Sequence, residues 1–129
     1  MRITNPGGAS INNYFSHVTK AAGTDTIQLW KTVTNTQTQL GADGSQEVAS
    51  GDSFGIDANG TTITAWYKPA AGSWTAVMVR TDSGVTAAGY IGLVAQSNSA
   101  IWDDFGGGTI NARELSTMCG QAVNRAGTY

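Results

Sequence analysis

GDSFGIDANGTTITAWYK, residues 51–68, is written as two alternating runs about a turn. Phe54 and Ile56 alternate with Ser53, Gly55 and Asp57; beyond Asn59-Gly60, Ile63, Ala65 and Tyr67 alternate with Thr62, Thr64 and Trp66. Period-two alternation is the signature of a half-buried strand. Asn-Gly between such runs predicts a two-residue hairpin of type I′, because both residues tolerate positive φ. The pattern continues to AIWDDFGGG (100–108), giving short alternating segments split by glycine-rich turns over residues 51–105. That spacing is how a β-sandwich is written.

Working outward, strands are expected near 12–19, 25–33, 36–40, 52–58, 61–68, 73–80, 90–96 and 100–105, with Gly-, Asn- or Pro-bearing connections between them. Antiparallel strands joined this way stack as two sheets about 10 Å apart. The aliphatic phase predicts a core of Ile27, Leu29, Phe54, Ile56, Ile63, Ala65, Val77, Val79, Ile91, Leu93, Ile101 and Phe105. After Gly106-Gly107-Gly108 the grammar changes. Asn111 and Glu114 form a capping-box-like start, and Leu115, Met118, Cys119 and Ala122 follow at helical spacing. The expected organisation is a β-sandwich domain over 1–108 and a C-terminal extension over 109–129, either a short helix or a tail.

The order GDSFGIDANGTTITAWYKPAAGSW, RTDSGVTAAGYIGLVA (80–95) and AIWDDF resembles the second half of a concanavalin A-like (laminin-G-like) jelly-roll domain of lectins and glucanases. The form is one common in bacterial secreted proteins and phage structural proteins. The likeness covers roughly residues 10–108 and implies an all-β antiparallel sandwich. Such domains carry several strands ahead of the point matching Met1, so the first strands are missing or the chain is a short variant.

Composition narrows the function classes. The chain has 129 residues, enough for one core, and carries seven Lys and Arg against nine Asp and Glu. The basic residues (Arg2, Lys20, Lys31, Lys68, Arg80, Arg113, Arg125) are scattered, so no electrostatic footprint for nucleic acid is present. No apolar run approaches the roughly 20 residues of a membrane span. MRITNPGGAS lacks the apolar centre of a secretory signal, so either a leader has been removed or the protein is made and assembled in the cytosol; the expected place is a virion or an extracellular surface. Cys119 is the single cysteine, which leaves no internal disulfide.

Catalysis is not expected. Two-carboxylate sugar hydrolysis on a strand needs acids on one face about 5–5.5 Å apart. The two glutamates, Glu47 and Glu114, have no acid two residues away, and His17 has no Ser or Cys partner in a recognisable triad. Asp103 and Asp104 have two readings. The resemblance implies that a closing-strand aspartate can help hold calcium; otherwise one carboxylate binds backbone amides of a neighbouring turn.

The tryptophans carry the functional expectation. Trp30, Trp66 and Trp102 are out of phase with their aliphatic neighbours. Trp74 is opposite Val77 and Val79 but shares parity with Met78. Such rings project from sheet faces, as a glycan platform or as anchors of a protein interface, or they lie under loops as a second small core. The expectation is a non-catalytic surface or virion accessory module (a phage decoration or tail-type structural protein) acting in adhesion or assembly. It would work as a homo-oligomer or with other structural subunits, because a sandwich entered partway leaves a sheet edge to be covered. The alternative is a carbohydrate-binding, lectin-like module. In either case Trp30, Trp66, Trp74 and Trp102 are the candidate glycan- or partner-binding residues, and Asp103 and Asp104 the candidate calcium ligands.

Overall fold

A computed structural model of the chain describes residues 2–4, 8–92 and 105–108. Eight strands appear among them: β1 (Arg2–Thr4), β2 (Asn12–Thr19), β3 (Thr26–Val33), β4 (Thr36–Gln39), β5 (Gly44–Ser45), β6 (Ser53–Asn59), β7 (Thr62–Lys68) and β8 (Thr75–Thr81). No helix occurs among the described residues. The strands form two antiparallel sheets. Sheet A runs β1-β2-β3-β4, with β5 also on β3; sheet B runs β6-β7-β8. Six of the expected strands are observed with ends within two residues. The short β1 and β5 escape sequence reading because two or three residues cannot show a period.

The register explains the core. Tyr14 pairs Lys31, Ser16 pairs Leu29 and Val18 pairs Ile27, so these six share one face of sheet A. Ile63 pairs Ala58, Ala65 pairs Ile56 and Tyr67 pairs Phe54 on one face of sheet B. Tyr14, Ile27, Leu29, Ile63, Ala65, Met78 and Val85 make one buried cluster, with Val18, Leu40, Phe54, Ile56, Ala58 and Val77 packed around it. Residues from both sheets in a single cluster are what give this all-β unit its β-sandwich character.

Four expectations are corrected. A β-bulge lies where Ala65 pairs Met78 but Trp66 pairs Ala76, leaving Val77 as the extra residue. A bulge shifts side-chain phase by one position. Met78 is therefore core, and Val79, expected inside, is 51% exposed on the outer face. Ile91 and Phe105, also expected inside, are 42% and 54% exposed. Neither lies in a strand: the described part of the expected strand over 90–96, residues 90–92, shows one antiparallel bridge, Tyr90 to Ile3, the rest lying outside the described residues, and Phe105–Gly108 has no regular structure. Lastly, the β6–β7 loop is Gly60-Thr61, one residue later than Asn59-Gly60, and only Gly60 has positive φ, at 58°. Positive φ at the first loop position alone is the type II′ pattern. The type I′ pattern occurs instead at Thr34-Asn35, with φ of 49° and 65°. A β-branched residue at positive φ is strained. Asn12 Oδ1 holds it by accepting the Thr34 N–H at 2.6 Å, while Asn35 Oδ1 accepts the Ile11 N–H at 2.8 Å.

Polar contacts lock the sheets to each other. Arg80, on β8, donates Nε to the Leu40 carbonyl at 2.8 Å and Nη2 to the Ala42 carbonyl at 3.1 Å in the loop following β4. Gly41, at φ 83°, lies under that guanidinium, and a Cβ there would come within 2.6 Å of Nε. At one end of the core, Asp82 Oδ1 accepts from the Tyr14 hydroxyl (2.7 Å) and the Gly84 N–H (2.7 Å), and Oδ2 from Lys31 Nζ (2.5 Å). The Tyr14 hydroxyl accepts the Val85 N–H in turn. Leu93, Ile101 and residues 109–129, with their expected helix or tail, lie outside the described residues.

Candidate binding faces

The two sheets turn different outer faces to solvent. On sheet B, the outward phase carries Gly55, Trp66, Thr64 and Val79. Trp74, just before β8, folds across this face. A Cβ on Gly55 would meet the Trp74 ring at 3.6 Å and the Trp66 Cβ at 3.6 Å, so the bare glycine is the floor on which the two tryptophans meet. Trp74 remains 48% exposed and Val79 51%. Thr64, between them and Asp57, is buried.

The outer face of sheet A is built differently. Phe15, Trp30 and Gln39 form one row across β2, β3 and β4, and His17 and Gln28 the row beside it. Phe15 and Trp30 stack with centroids 6.2 Å apart and planes 14° from parallel. Trp30 Nε1 donates to Gln28 Oε1 at 3.0 Å, and Gln28 Nε2 donates to Asp43 Oδ1 at 2.8 Å. Gln39 Nε2 reaches the same Oδ1 at 2.5 Å. The rings are half-buried, and Trp30 is fixed by a hydrogen-bonded chain ending on a loop carboxylate.

Of the expected site residues, Trp66 and Trp74 come together, and Trp30 lies on the outward face of the other sheet. Trp102, Asp103 and Asp104 lie outside the described residues, as does Cys119. Sequence reasoning missed Phe15, Gln28, Gln39 and Asp43. Phe15 alternates with Tyr14 in NNYFSHVT, which is the one local signal for it; Asp43 reaches the face because β4 and β5 both pair with β3.

Asp25, Asp52, Asp82 and Glu47 are tied into the fold. Asp25 is fully buried; Lys20 Nζ, the Ala21 N–H and the Val48 N–H all donate to it, at 2.8, 2.8 and 2.9 Å. Those contacts, Lys20 foremost, lower its pKa to about 2. Asp52 takes the Ala49 N–H, the Tyr67 hydroxyl and the Ala70 N–H, which together hold it below the usual aspartate range. Burial pushes Asp82 upward, but Lys31 and Tyr14 outweigh it and its pKa is lowered. Burial and then Asp82 raise the Tyr14 hydroxyl. Glu47 is exposed and accepts the Asp25 N–H at 3.4 Å, so it braces the β2–β3 turn. Among the described residues no three metal-ligating side chains converge, and no helix is long and apolar enough to cross a membrane.

The chain matches no protein-family model, no curated protein and no solved structure.

Proposed function

We propose that the chain is a non-catalytic accessory module of a virion or extracellular surface, acting in adhesion or assembly through its sheet B face. The observation that carries this reading is that Trp74 and Val79, 48% and 51% exposed, lie with Trp66 on the outward face of sheet B. Large exposed rings grouped this way are the usual anchors of protein interfaces, where a few aromatic residues supply most of the binding energy. The partners are further copies of the chain or other structural subunits.

Size-exclusion chromatography with light scattering tests the first of these. The wild-type protein is expected to elute as an oligomer, and Trp74→Ala with Val79→Asp as a monomer of unchanged fold. A wild-type protein that stays monomeric at high concentration would refute self-assembly. A second reading, glycan recognition, is supported on the opposite side of the molecule, where Phe15 and Trp30 stack amid side-chain amides.

A further inference from the structure

We infer that the outer face of sheet A is a binding platform for a neutral oligosaccharide, with Trp30 and Phe15 as its stacking surface and Gln28, Gln39 and Asp43 as its hydroxyl-reading groups. This rests on the glycan reading and narrows it to one face and one chemical class.

Sugar recognition needs an apolar surface for the C–H faces of a pyranose and oriented polar groups for its hydroxyls. Small-ligand sites combine the two in this way, with few but well-placed polar groups. Both are present here in register. Phe15, Trp30 and Gln39 are directly opposed across three neighbouring strands. At about 4.8 Å per strand the row spans about 10 Å, room for more than one sugar ring.

The polar groups are pre-oriented. The indole N–H of Trp30 is committed to Gln28, so the ring cannot swing away without breaking that bond. Gln28 and Gln39 both donate to Oδ1 of Asp43. Among the described residues Oδ2 takes no donor, and Gln39 Oε1 receives none. A carboxylate oxygen and an amide oxygen, held beside an aromatic pair, are acceptors for sugar hydroxyls. Fixing them in advance lowers the ordering cost of binding.

Charge sets the class. Asp43 is the anionic group at the platform, and Lys31, the cation of β3, turns to the other face to meet Asp82. Arg80, whose guanidinium reaches the same loop, is committed to the Leu40 and Ala42 carbonyls. With a carboxylate at the rim and no Lys or Arg in the outward phase of β2, β3 or β4, uronate, sulfate and sialate groups are repelled rather than paired. Neutral hexoses carry no such cost.

The test is isothermal titration of the full chain with four hexasaccharides: cello-, laminari- and malto-hexaose as neutral probes, and hexagalacturonate as the anionic one. At least one neutral probe is expected to bind saturably and the galacturonate not to bind. Trp30→Ala should weaken that binding about tenfold or more, as loss of an aromatic anchor does. Trp30→Phe should restore part of it, and Asp43→Ala, a change at an exposed loop residue, should weaken it in a protein that melts cooperatively. Binding abolished by Trp74→Ala but untouched by Trp30→Ala would overturn the placement while leaving glycan recognition standing. Preference for galacturonate would overturn the class. No binding by any of the four would overturn both this inference and the glycan reading, without touching assembly through sheet B.

Discussion

The outer faces of the two sheets come from the same alternating grammar and end as opposite kinds of surface. On sheet A Trp30 finds Gln28 two residues back on its own strand, and the loop into β5 brings Asp43, so the indole is tied down through Gln28. On sheet B the neighbours of Trp66 are Gly55 and Ala76, which offer no side-chain hydrogen bonds, so Trp74 settles over the glycine with half its surface in water. A tryptophan in the outward phase therefore does not define a surface by itself. The polar side chains within reach on the same face decide whether the ring becomes a fixed platform or an exposed anchor.

What both faces share is the core, and breaking it should abolish the contrast. Leu29→Ala removes a fully buried side chain between the sheets and should cost about 2–5 kcal/mol by urea unfolding. Both faces should then lose their ordered tryptophan signals together. Tyr14→Phe is a subtler version. It leaves the ring but strips a hydroxyl that serves Asp82 and Val85, and the orphaned partners should cost about 1–3 kcal/mol.

Acid sharpens the same point, because the sandwich depends on carboxylates that neither face uses. Asp25, Asp52 and Asp82 all have folded pKa values lowered below the ordinary aspartate value near 3.9. Their contribution is complete above that value and is lost as pH falls toward about 2, the value of Asp25. The melting temperature should be flat near neutrality and drop over that window, and Asp25→Asn should flatten the drop. At the alkaline end Tyr14 and Tyr67 have raised values, so their hydroxyls contribute until pH climbs through about 10 and beyond.

Much of this was legible in the sequence. Ile27, Leu29, Ile63 and Ala65 follow strict alternation and are all buried. The outward placement of Trp30 and Trp66 follows from the same rule, whereas Trp74 lies just ahead of β8 and shares parity with the buried Met78, so alternation alone does not place it. The misreading of Val79 has a local cause: Val77 is an extra residue in the ladder, and nothing in TAVMVRT marks a bulge. Tyr14 and Asp82 lie 68 residues apart, and Arg80 and Leu40 lie 40 apart, so the inter-sheet locks were out of reach of any local pattern. The Gln28–Asp43–Gln39 convergence was hidden for the same reason: three polar residues in a threonine- and glutamine-rich stretch read as solvent-facing until the register joins them.

Smaller effects separate the faces. Asp43→Ala releases two glutamines and the brace behind Trp30, and should cost about 1 kcal/mol while altering the near-ultraviolet circular dichroism of the indole. Val79→Ser, on the exposed face of sheet B, should change stability by less than about 0.5 kcal/mol, with its effect confined to self-association.

The most direct test is a two-dimensional NMR spectrum of the four tryptophan indole N–H groups, recorded across a dilution series and then with the neutral hexasaccharide that binds most tightly. Dilution should move the Trp66 and Trp74 signals and leave Trp30 in place; the sugar should move Trp30 and leave Trp66 and Trp74. Trp30 shifting on dilution, or Trp66 and Trp74 indifferent to concentration, would contradict the division of labour between the faces.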